Sequence, residues 1–187
     1  HDRIQEAAYS MLSLAQREQT HYRIGHLDLK RTPDQLLYNR IFYICDQLNH
    51  ARALIAAPAE RHALAALNLR AGLKAKETTA YAAAVNYLVT GVALMGGQAW
   101  PSDYDLTYAL HIELMECQYL DRNFEEAERL FAVINAQARA KIDKAKAYTI
   151  MIALYTNLRG PKEALELGIE ALAIFGIRLK MDIGVGP

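Results

Sequence analysis

Three segments of the sequence carry apolar residues at the i, i+3, i+4 spacing of an amphipathic helix, and this periodicity most constrains the fold. The rows are Tyr81, Ala84, Val85, Leu88, Val92 and Met95; Phe124, Ala127, Leu130, Phe131, Ile134 and Ala138; and Ala164, Leu165, Gly168, Ala171, Leu172 and Phe175. Residues at this spacing share one face of a helix, and such a face is stable only when another element covers it. The sequence therefore predicts packed helices, each with one wide apolar face.

Prolines mark the start of several of these helices. Pro33, Pro58, Pro101 and Pro161 each stand where a new apolar pattern begins, a position at which the missing N–H of proline is tolerated. Further breaks are predicted near residues 14–17, 76–79, 122 and 140–143. With 10 Gly and 5 Pro in 187 residues, interruptions are few. The prediction is an all-α fold of about nine antiparallel helices joined by short connections.

A small residue recurs at one place in the second helix of successive helix pairs. Ala84, Ala127 and Ala164 are 43 and then 37 residues apart, and an apolar residue or glycine follows four positions later in each case. A small residue lets the first helix of a pair approach closely, and each pair then leaves a face that a neighbouring pair can cover. The spacing predicts stacked helical repeats of one plan.

The stretch DRNFEEAERLFAVI resembles the second half of a tetratricopeptide repeat. Asn123, Phe124 and Ala127 stand at the turn, aromatic and small-residue places of that pattern. Gly72 matches the pattern's glycine, whereas Asn68 and Ala75 stand where the pattern has tryptophan and tyrosine. The resemblance implies a tetratricopeptide-like right-handed superhelix of antiparallel helix pairs.

The stretches HDRIQEAAYSML and REQTHYRIGHLDL are similar to a segment of large bacterial signalling ATPases of the STAND class, which are fused to Ser/Thr kinase, histidine kinase or cyclase domains. The residues that match in order are His1, Asp2, Ala7, Ala8, Tyr9, His21, Ile24 and Gly25. The resemblance implies a helical segment over 1–57 that follows an ATPase core, repeats over 58–178 and the start of a linker over 179–187. It also implies that His1 is a nucleotide sensor in the intact protein.

Composition narrows the classes of partner. Lys plus Arg equals Asp plus Glu, at 21 each, so no global field favours nucleic acid or an anionic membrane surface. No stretch approaches the 18 or more apolar residues of a membrane span, and the first residues lack a signal-peptide layout. Cys45 and Cys117 lie in apolar helical patterns, which predicts buried thiols and a cytoplasmic protein.

Catalytic and ligand-binding patterns are weak. No phosphate-binding loop of the G-x-x-x-x-G-K-[ST] kind occurs, and His21 and His26 are five residues apart, which places them on different helix faces. Metal-ligand types near His111 (Glu113, Glu116 and Cys117) share a helix whose apolar residues have to form a core. Acidic residues cluster in first helical turns, where the helix dipole favours them. We expect no catalytic residue, no cofactor and no metal, and hence a chain that is not itself an enzyme.

The tetratricopeptide pattern also predicts a partner-binding groove, because the first helix of each pair lines the concave side in that family. The projected groove residues are Lys76, Glu77, Glu116, Tyr119, Lys146, Thr149, Thr156 and Asn157. This mixture of charge, hydroxyl and one aromatic favours a protein or peptide held by a Tyr119 anchor, including other domains of the same chain. Glu128 is predicted to lie on the convex side.

Two functions remain open from the sequence. The first is a non-catalytic scaffold or regulatory segment of a multidomain bacterial signal-transduction ATPase or kinase, which mediates protein–protein or interdomain contacts. The alternative is the inducer-sensing repeat domain of a STAND-type transcriptional regulator. Flanking kinase domains would indicate the first and a helix-turn-helix the second. An apolar patch on the N-terminal helices is also predicted to drive weak self-association.

Overall fold

The computed structural model of the protein describes residues 9–179, and the regular structure in that range is entirely helical. Its helices are α1 (Leu14–Arg31), α2 (Asp34–His50), α3 (Pro58–Glu77), α4 (Tyr81–Met95), α5 (Ala99–Ser102), α6 (Tyr104–Leu120), α7 (Phe124–Gln137), α8 (Lys141–Leu158) and α9 (Pro161–Ile174), with a 3-10 turn at Arg52–Leu54. The predicted all-α class and the predicted number of helices are confirmed for this part of the chain. His1, Asp2, Ala7 and Ala8 lie outside the described residues.

The chain divides into two compact units, His1–Leu110 and His111–Pro187. In the first unit α3 packs on both α2 and α4, and α1 packs on α2. In the second unit α8 packs on both α7 and α9. The handedness of a superhelix and the division at residues 57 and 58 stay predictions.

Helix α1 begins at Leu14, so the break predicted over 14–17 is wrong by a few residues. Ser13 caps this helix: its Oγ accepts from the backbone N–H of Gln16 at 3.3 Å, and the Gln16 side-chain oxygen accepts from the backbone N–H of Ser13 at 2.9 Å. This reciprocal pair satisfies two N–H groups that a helix start leaves open, which fixes the start at this point. The prolines behave as predicted at α3 and α9, where Pro58 and Pro161 are the first helical residues.

The turns α3–α4 and α6–α7 have the same backbone geometry. Thr79 and Arg122 each adopt a left-handed conformation, with φ of 60° and 66°. The N–H after each of them bonds back to a carbonyl five residues earlier, Ala80 to Ala75 at 2.9 Å and Asn123 to Gln118 at 2.8 Å. These contacts form the Schellman arrangement of a helix end. The two turns are 43 residues apart, the spacing of Ala84 and Ala127, so one plan recurs in these two helix pairs.

The small residues of the repeat are buried as predicted: Ala84 and Ala127 are inaccessible and Ala164 is nearly so. Gly72 permits a close contact, because a Cβ atom added there would lie 2.6 Å from Leu88 Cγ. The third predicted apolar row is partly wrong. Leu165, Leu172 and Phe175 are 55%, 36% and 46% exposed, whereas Ala164 and Leu167 are the buried residues of α9. Helix α9 packs on α8 through the face that carries this buried pair, and the predicted row extends beyond that face.

Candidate protein-interaction surfaces

The eight residues of the predicted groove fall in different units. Lys76 and Glu77 end α3 in the first unit. The remaining six lie in the second unit, on two helices: Glu116 and Tyr119 on α6, and Lys146, Thr149, Thr156 and Asn157 on α8. The second unit therefore contains most of the predicted surface.

Tyr119 and Asn157 are brought together by the fold. The Asn157 side-chain N–H donates to the Tyr119 hydroxyl at 2.9 Å and also to the backbone carbonyl of Ala153 at 2.9 Å. The Tyr119 ring packs at an angle on Phe124, with 6.4 Å between ring centroids. Tyr119 is half-buried, so one part of its ring is held by these contacts and another part reaches the surface. This arrangement limits the motion of the predicted aromatic anchor.

Helix α8 presents an exposed polar face beside this pair. Lys146, Thr149 and Thr156 are exposed and lie at helical spacing. The threonine hydroxyls donate to the carbonyls four residues earlier, Ala145 at 3.0 Å and Ile152 at 2.7 Å. Each hydroxyl oxygen keeps its capacity to accept from a partner. We call Tyr119, Lys146, Thr149, Thr156 and Asn157 the α8 face.

The other three predicted groove residues are less suitable. Glu77 is exposed, but its carboxylate accepts from the Tyr38 hydroxyl at 2.5 Å. That hydrogen bond is the main cause of the raised pKa of Tyr38. Lys76 and Glu116 are half-buried and have interactions of their own. Their polar groups are already engaged in the folded protein.

Glu128, which is predicted to lie on the convex side, forms an ion pair with Arg159. Its carboxylate oxygen lies 2.6 Å from Nη2 of Arg159, which joins α7 to the end of α8. A substitution at Glu128 would disturb the support of α8 as well as the surface. Glu125, an exposed residue in the first turn of α7, is the better control for a surface away from the α8 face.

The first unit contains a polar groove that the sequence did not reveal. Its volume is about 630 Å³, and its lining is drawn from α1, α2, the 3-10 turn and α4: Glu18, Asp46, Asn49, His50, Arg52, Ala53, Ala83, Asn86, Tyr87 and Thr90. The Tyr87 hydroxyl donates to Asp46 at 2.8 Å in this groove. Burial, followed by this contact, raises the pKa of Tyr87. Because these residues come from four separate segments, no local sequence pattern predicts the groove.

A second groove of the first unit is apolar and lies along α1. It has a volume of about 820 Å³ and includes Leu12, Tyr22, Ile24 and Leu27. The apolar patch predicted on the N-terminal helices therefore has a structural counterpart. The self-association predicted for that patch stays a prediction.

Residues with potential for metal or nucleophilic chemistry have structural partners. Within residues 9–179 no group of three or more His, Cys, Asp or Glu side chains is placed to hold a metal ion. His21 contacts Gln47 at 2.8 Å and the Tyr9 hydroxyl at 2.9 Å. Cys45 and Cys117 are buried thiols, as predicted. Burial raises the pKa of Cys45 to about 12, so this thiol is protonated and a poor nucleophile at neutral pH.

Comparison with known proteins relates this chain to signal transduction. A curated relative, hybrid signal transduction histidine kinase G of Dictyostelium discoideum, is 27% identical over an alignment of 218 positions that covers 99% of this chain. The chain spans 6% of the length of that relative. No protein-family model matches the chain, and no solved structure shows a significant match.

Between residues 9 and 179, no helix has both the length and the apolar character that a membrane span requires. Together with the similarity to a histidine kinase, the structure indicates an all-α region related to a signal-transduction protein.

Proposed function

We propose that this chain is a non-catalytic interaction segment of a multidomain signal-transduction protein and that the α8 face binds a protein or peptide. The observation that carries the proposal is the placement of a half-buried, hydrogen-bonded Tyr119 beside the exposed polar face of α8. Partners include other domains of the same polypeptide. The similarity to a small part of a large histidine kinase supports the signalling context.

The α8 face suits a polar partner. A partially buried aromatic ring supplies apolar contact area, while the surrounding threonine, amide and ammonium groups supply hydrogen bonds at the rim. Because Asn157 and Phe124 already restrict Tyr119, the ring loses less conformational freedom when a partner binds. Lys146 adds a single exposed cation and favours an acidic residue in the partner.

The proposal also concerns the other domains of the whole protein. The resemblance of the N-terminal stretches to STAND-class signalling ATPases leads us to propose an ATPase core and a kinase in the same polypeptide, in a cytoplasmic protein. A histidine kinase output has the additional support of the curated relative. That relative is a Dictyostelium protein, so the bacterial origin rests on the resemblance alone.

Site-specific photo-crosslinking in the full-length gene product tests the proposal. A photo-reactive phenylalanine analogue at Thr149 probes the α8 face, and the same analogue at Ala132, an exposed position on α7, is the matched control. We expect Thr149 to crosslink to a defined peptide of another domain or a partner protein, and Ala132 to give no such product. Equal crosslinking from both positions, or no product from Thr149, would contradict the assignment of the α8 face.

A further inference from the structure

The polar groove of the first unit is lined by one face of each of two helices. Residues at the i, i+3, i+4 spacing form these faces: Asp46, Asn49 and His50 on α2, and Ala83, Asn86 and Tyr87 on α4. Glu18 of α1 and Arg52 of the 3-10 turn add further charge to the lining. The volume of about 630 Å³ falls within the range of about 300–1,000 Å³ that is usual for small-molecule sites. The groove therefore has the size of a ligand site.

Three polar side chains of this lining are not engaged by the rest of the chain. Glu18 is half-buried and Arg52 is exposed, and the 3-10 turn that carries Arg52 packs on α1. Even so, neither side chain forms an ion pair or a hydrogen bond within residues 9–179, and the side-chain amide of Asn86 forms none in that range either. The Asn49 amide of the same groove, by contrast, is paired with Asn68 at 2.9 Å. The groove thus presents a carboxylate, a guanidinium and an amide to a ligand.

Other side chains of the lining are held in place by contacts within the unit. The Tyr87 hydroxyl donates to Asp46 at 2.8 Å, and the Tyr87 ring stacks on Phe42 with 5.6 Å between centroids. The His50 ring stacks on His21 with 4.8 Å between centroids. These contacts restrict part of the lining before a ligand arrives, which lowers the loss of conformational freedom on binding.

We propose that the polar groove binds a small zwitterion of about dipeptide size, with a carboxylate, an ammonium group and an amide. The planar Arg52 guanidinium suits a carboxylate, with which it can form two parallel hydrogen bonds. Glu18 accepts from an ammonium group, and the Asn86 amide both donates to and accepts from a peptide group. This inference goes beyond the proposed function and does not depend on it, because the α8 face lies in the second unit.

The mixture of charges favours a zwitterion over a ligand with one charge. A simple anion would meet the carboxylates of Glu18 and Asp46, and a simple cation would meet Arg52. A free amino acid carries both charges but has no amide for Asn86. The space itself depends on small side chains, since Ala83 is exposed and lines the groove one turn before Tyr87. A bulky residue at position 83 should therefore fill the groove.

Titration of the full chain with dipeptides, followed by two-dimensional amide NMR, tests the inference. The probes are alanyl-alanine, alanyl-glutamine and alanyl-phenylalanine at up to about 20 mM, which detects a millimolar Kd. The N-acetylated and the C-terminally amidated form of each dipeptide carry one charge fewer and serve as matched probes. The NMR spectrum of each protein variant also shows whether the variant keeps its fold.

Two substitutions alter the groove, and each has a matched control in the same unit. Arg52→Gln removes the unpaired cation, and Arg70→Gln removes an exposed arginine of α3 that does not line the groove. Ala83→Trp fills the groove, and Ala82→Trp places the same bulk at the neighbouring exposed position of α4, outside the lining.

We expect at least one dipeptide to shift amide signals of the groove residues, and both singly charged forms of it to bind at least tenfold more weakly. Arg52→Gln and Ala83→Trp should each raise Kd at least tenfold, whereas the two controls should leave Kd unchanged. The absence of a shift with every dipeptide would overturn the inference. Equal binding of a singly charged form, or binding that survives either groove substitution, would overturn it as well.

Discussion

The two compact units differ in how side chains join their helices. In the first unit, polar pairs link separate helices: Tyr22 to Glu60 at 2.8 Å, Tyr87 to Asp46 at 2.8 Å, and a reciprocal amide pair between Asn49 and Asn68. In the second unit, α7 and α8 share such contacts, but no side-chain hydrogen bond joins α9 to another element in the part of the chain that the structure describes. Polar pairs thus tie the helices of the first unit to one another, whereas α9 of the second unit packs without such a tie among the described residues.

The difference has an energetic meaning. A buried polar pair contributes little net stability, but it penalises arrangements in which either group loses its partner. The pair formed by the buried Asn68 and Asn49 therefore favours one alignment of α2 on α3. Helix α9 packs on α8, and its buried residues Ala164 and Leu167 are small or apolar, so between residues 9 and 179 no polar pair of this kind fixes its alignment. We therefore expect the free energy of unfolding to be sensitive to the loss of polar pairs in the first unit and to changes in side-chain volume in the second unit.

The largest expected effect is in the second unit, where close packing depends on a small residue. Ala127→Leu adds bulk at an inaccessible position and should lower the free energy of unfolding by about 1–3 kcal/mol. Chemical denaturation measures the loss. Ala132→Leu is the matched control, because Ala132 is exposed on the same helix and leucine has a similar helix propensity. Equal midpoints for the two variants would show that the repeat does not depend on a small residue here.

A slightly smaller effect is expected in the first unit. Asn68 is fully buried, and its amide exchanges two hydrogen bonds of 2.9 Å with Asn49. Asn49→Ala leaves the Asn68 amide with its remaining bond to the Leu64 carbonyl and should cost about 1–2 kcal/mol of unfolding free energy. Asn86→Ala, at an exposed position on α4, is the control.

A double-mutant cycle isolates the amide pair. If Asn49 and Asn68 stabilise each other, the two alanine substitutions together should cost less than the sum of the single substitutions. Strictly additive losses would mean that the two amides act independently, and the contrast between the units would then have to rest on other contacts.

The smallest expected effect is a gain in stability at the two equivalent turns. Thr79 and Arg122 adopt positive φ angles that glycine tolerates better than residues with a Cβ atom. Thr79→Gly and Arg122→Gly should each raise the free energy of unfolding by up to about 1 kcal/mol, with the larger gain at the β-branched Thr79. A loss of stability in either variant, seen in the same denaturation assay, would show that the side chain contributes more than its backbone strain costs.

Much of the fold could be predicted from local patterns, because periodicity and proline positions report directly on helices. The row over Ala164–Phe175 shows the limit of this approach: an apolar row predicts a buried face but does not show whether a neighbouring helix covers it. Asn68 shows another limit. The tetratricopeptide pattern has a tryptophan at this position, so the sequence showed that Asn68 is unusual. It could not show the reciprocal hydrogen bonds to Asn49, because these join two separate helices.

The candidate site was predictable only in part for a similar reason. Projection of the repeat pattern identified Tyr119 and Asn157, which the fold brings together, because the pattern fixes positions within a helix. It could not show that Glu77 is engaged by Tyr38 or that Glu128 supports Arg159, since these contacts join residues 39 and 31 positions apart. The polar groove of the first unit was missed because its lining comes from four separate segments.

The most direct test of the α8 face is the affinity of this chain for the other domains encoded by the same gene, measured by calorimetry. Tyr119→Ala should weaken binding by about 1 kcal/mol or more, which is roughly fivefold in Kd. Tyr119→Phe, which keeps the ring and removes the hydroxyl that Asn157 contacts, should have a smaller effect. Glu125→Ala should leave Kd unchanged. Equal weakening by Tyr119→Ala and Glu125→Ala, or no change with either, would contradict the proposal that Tyr119 anchors a partner.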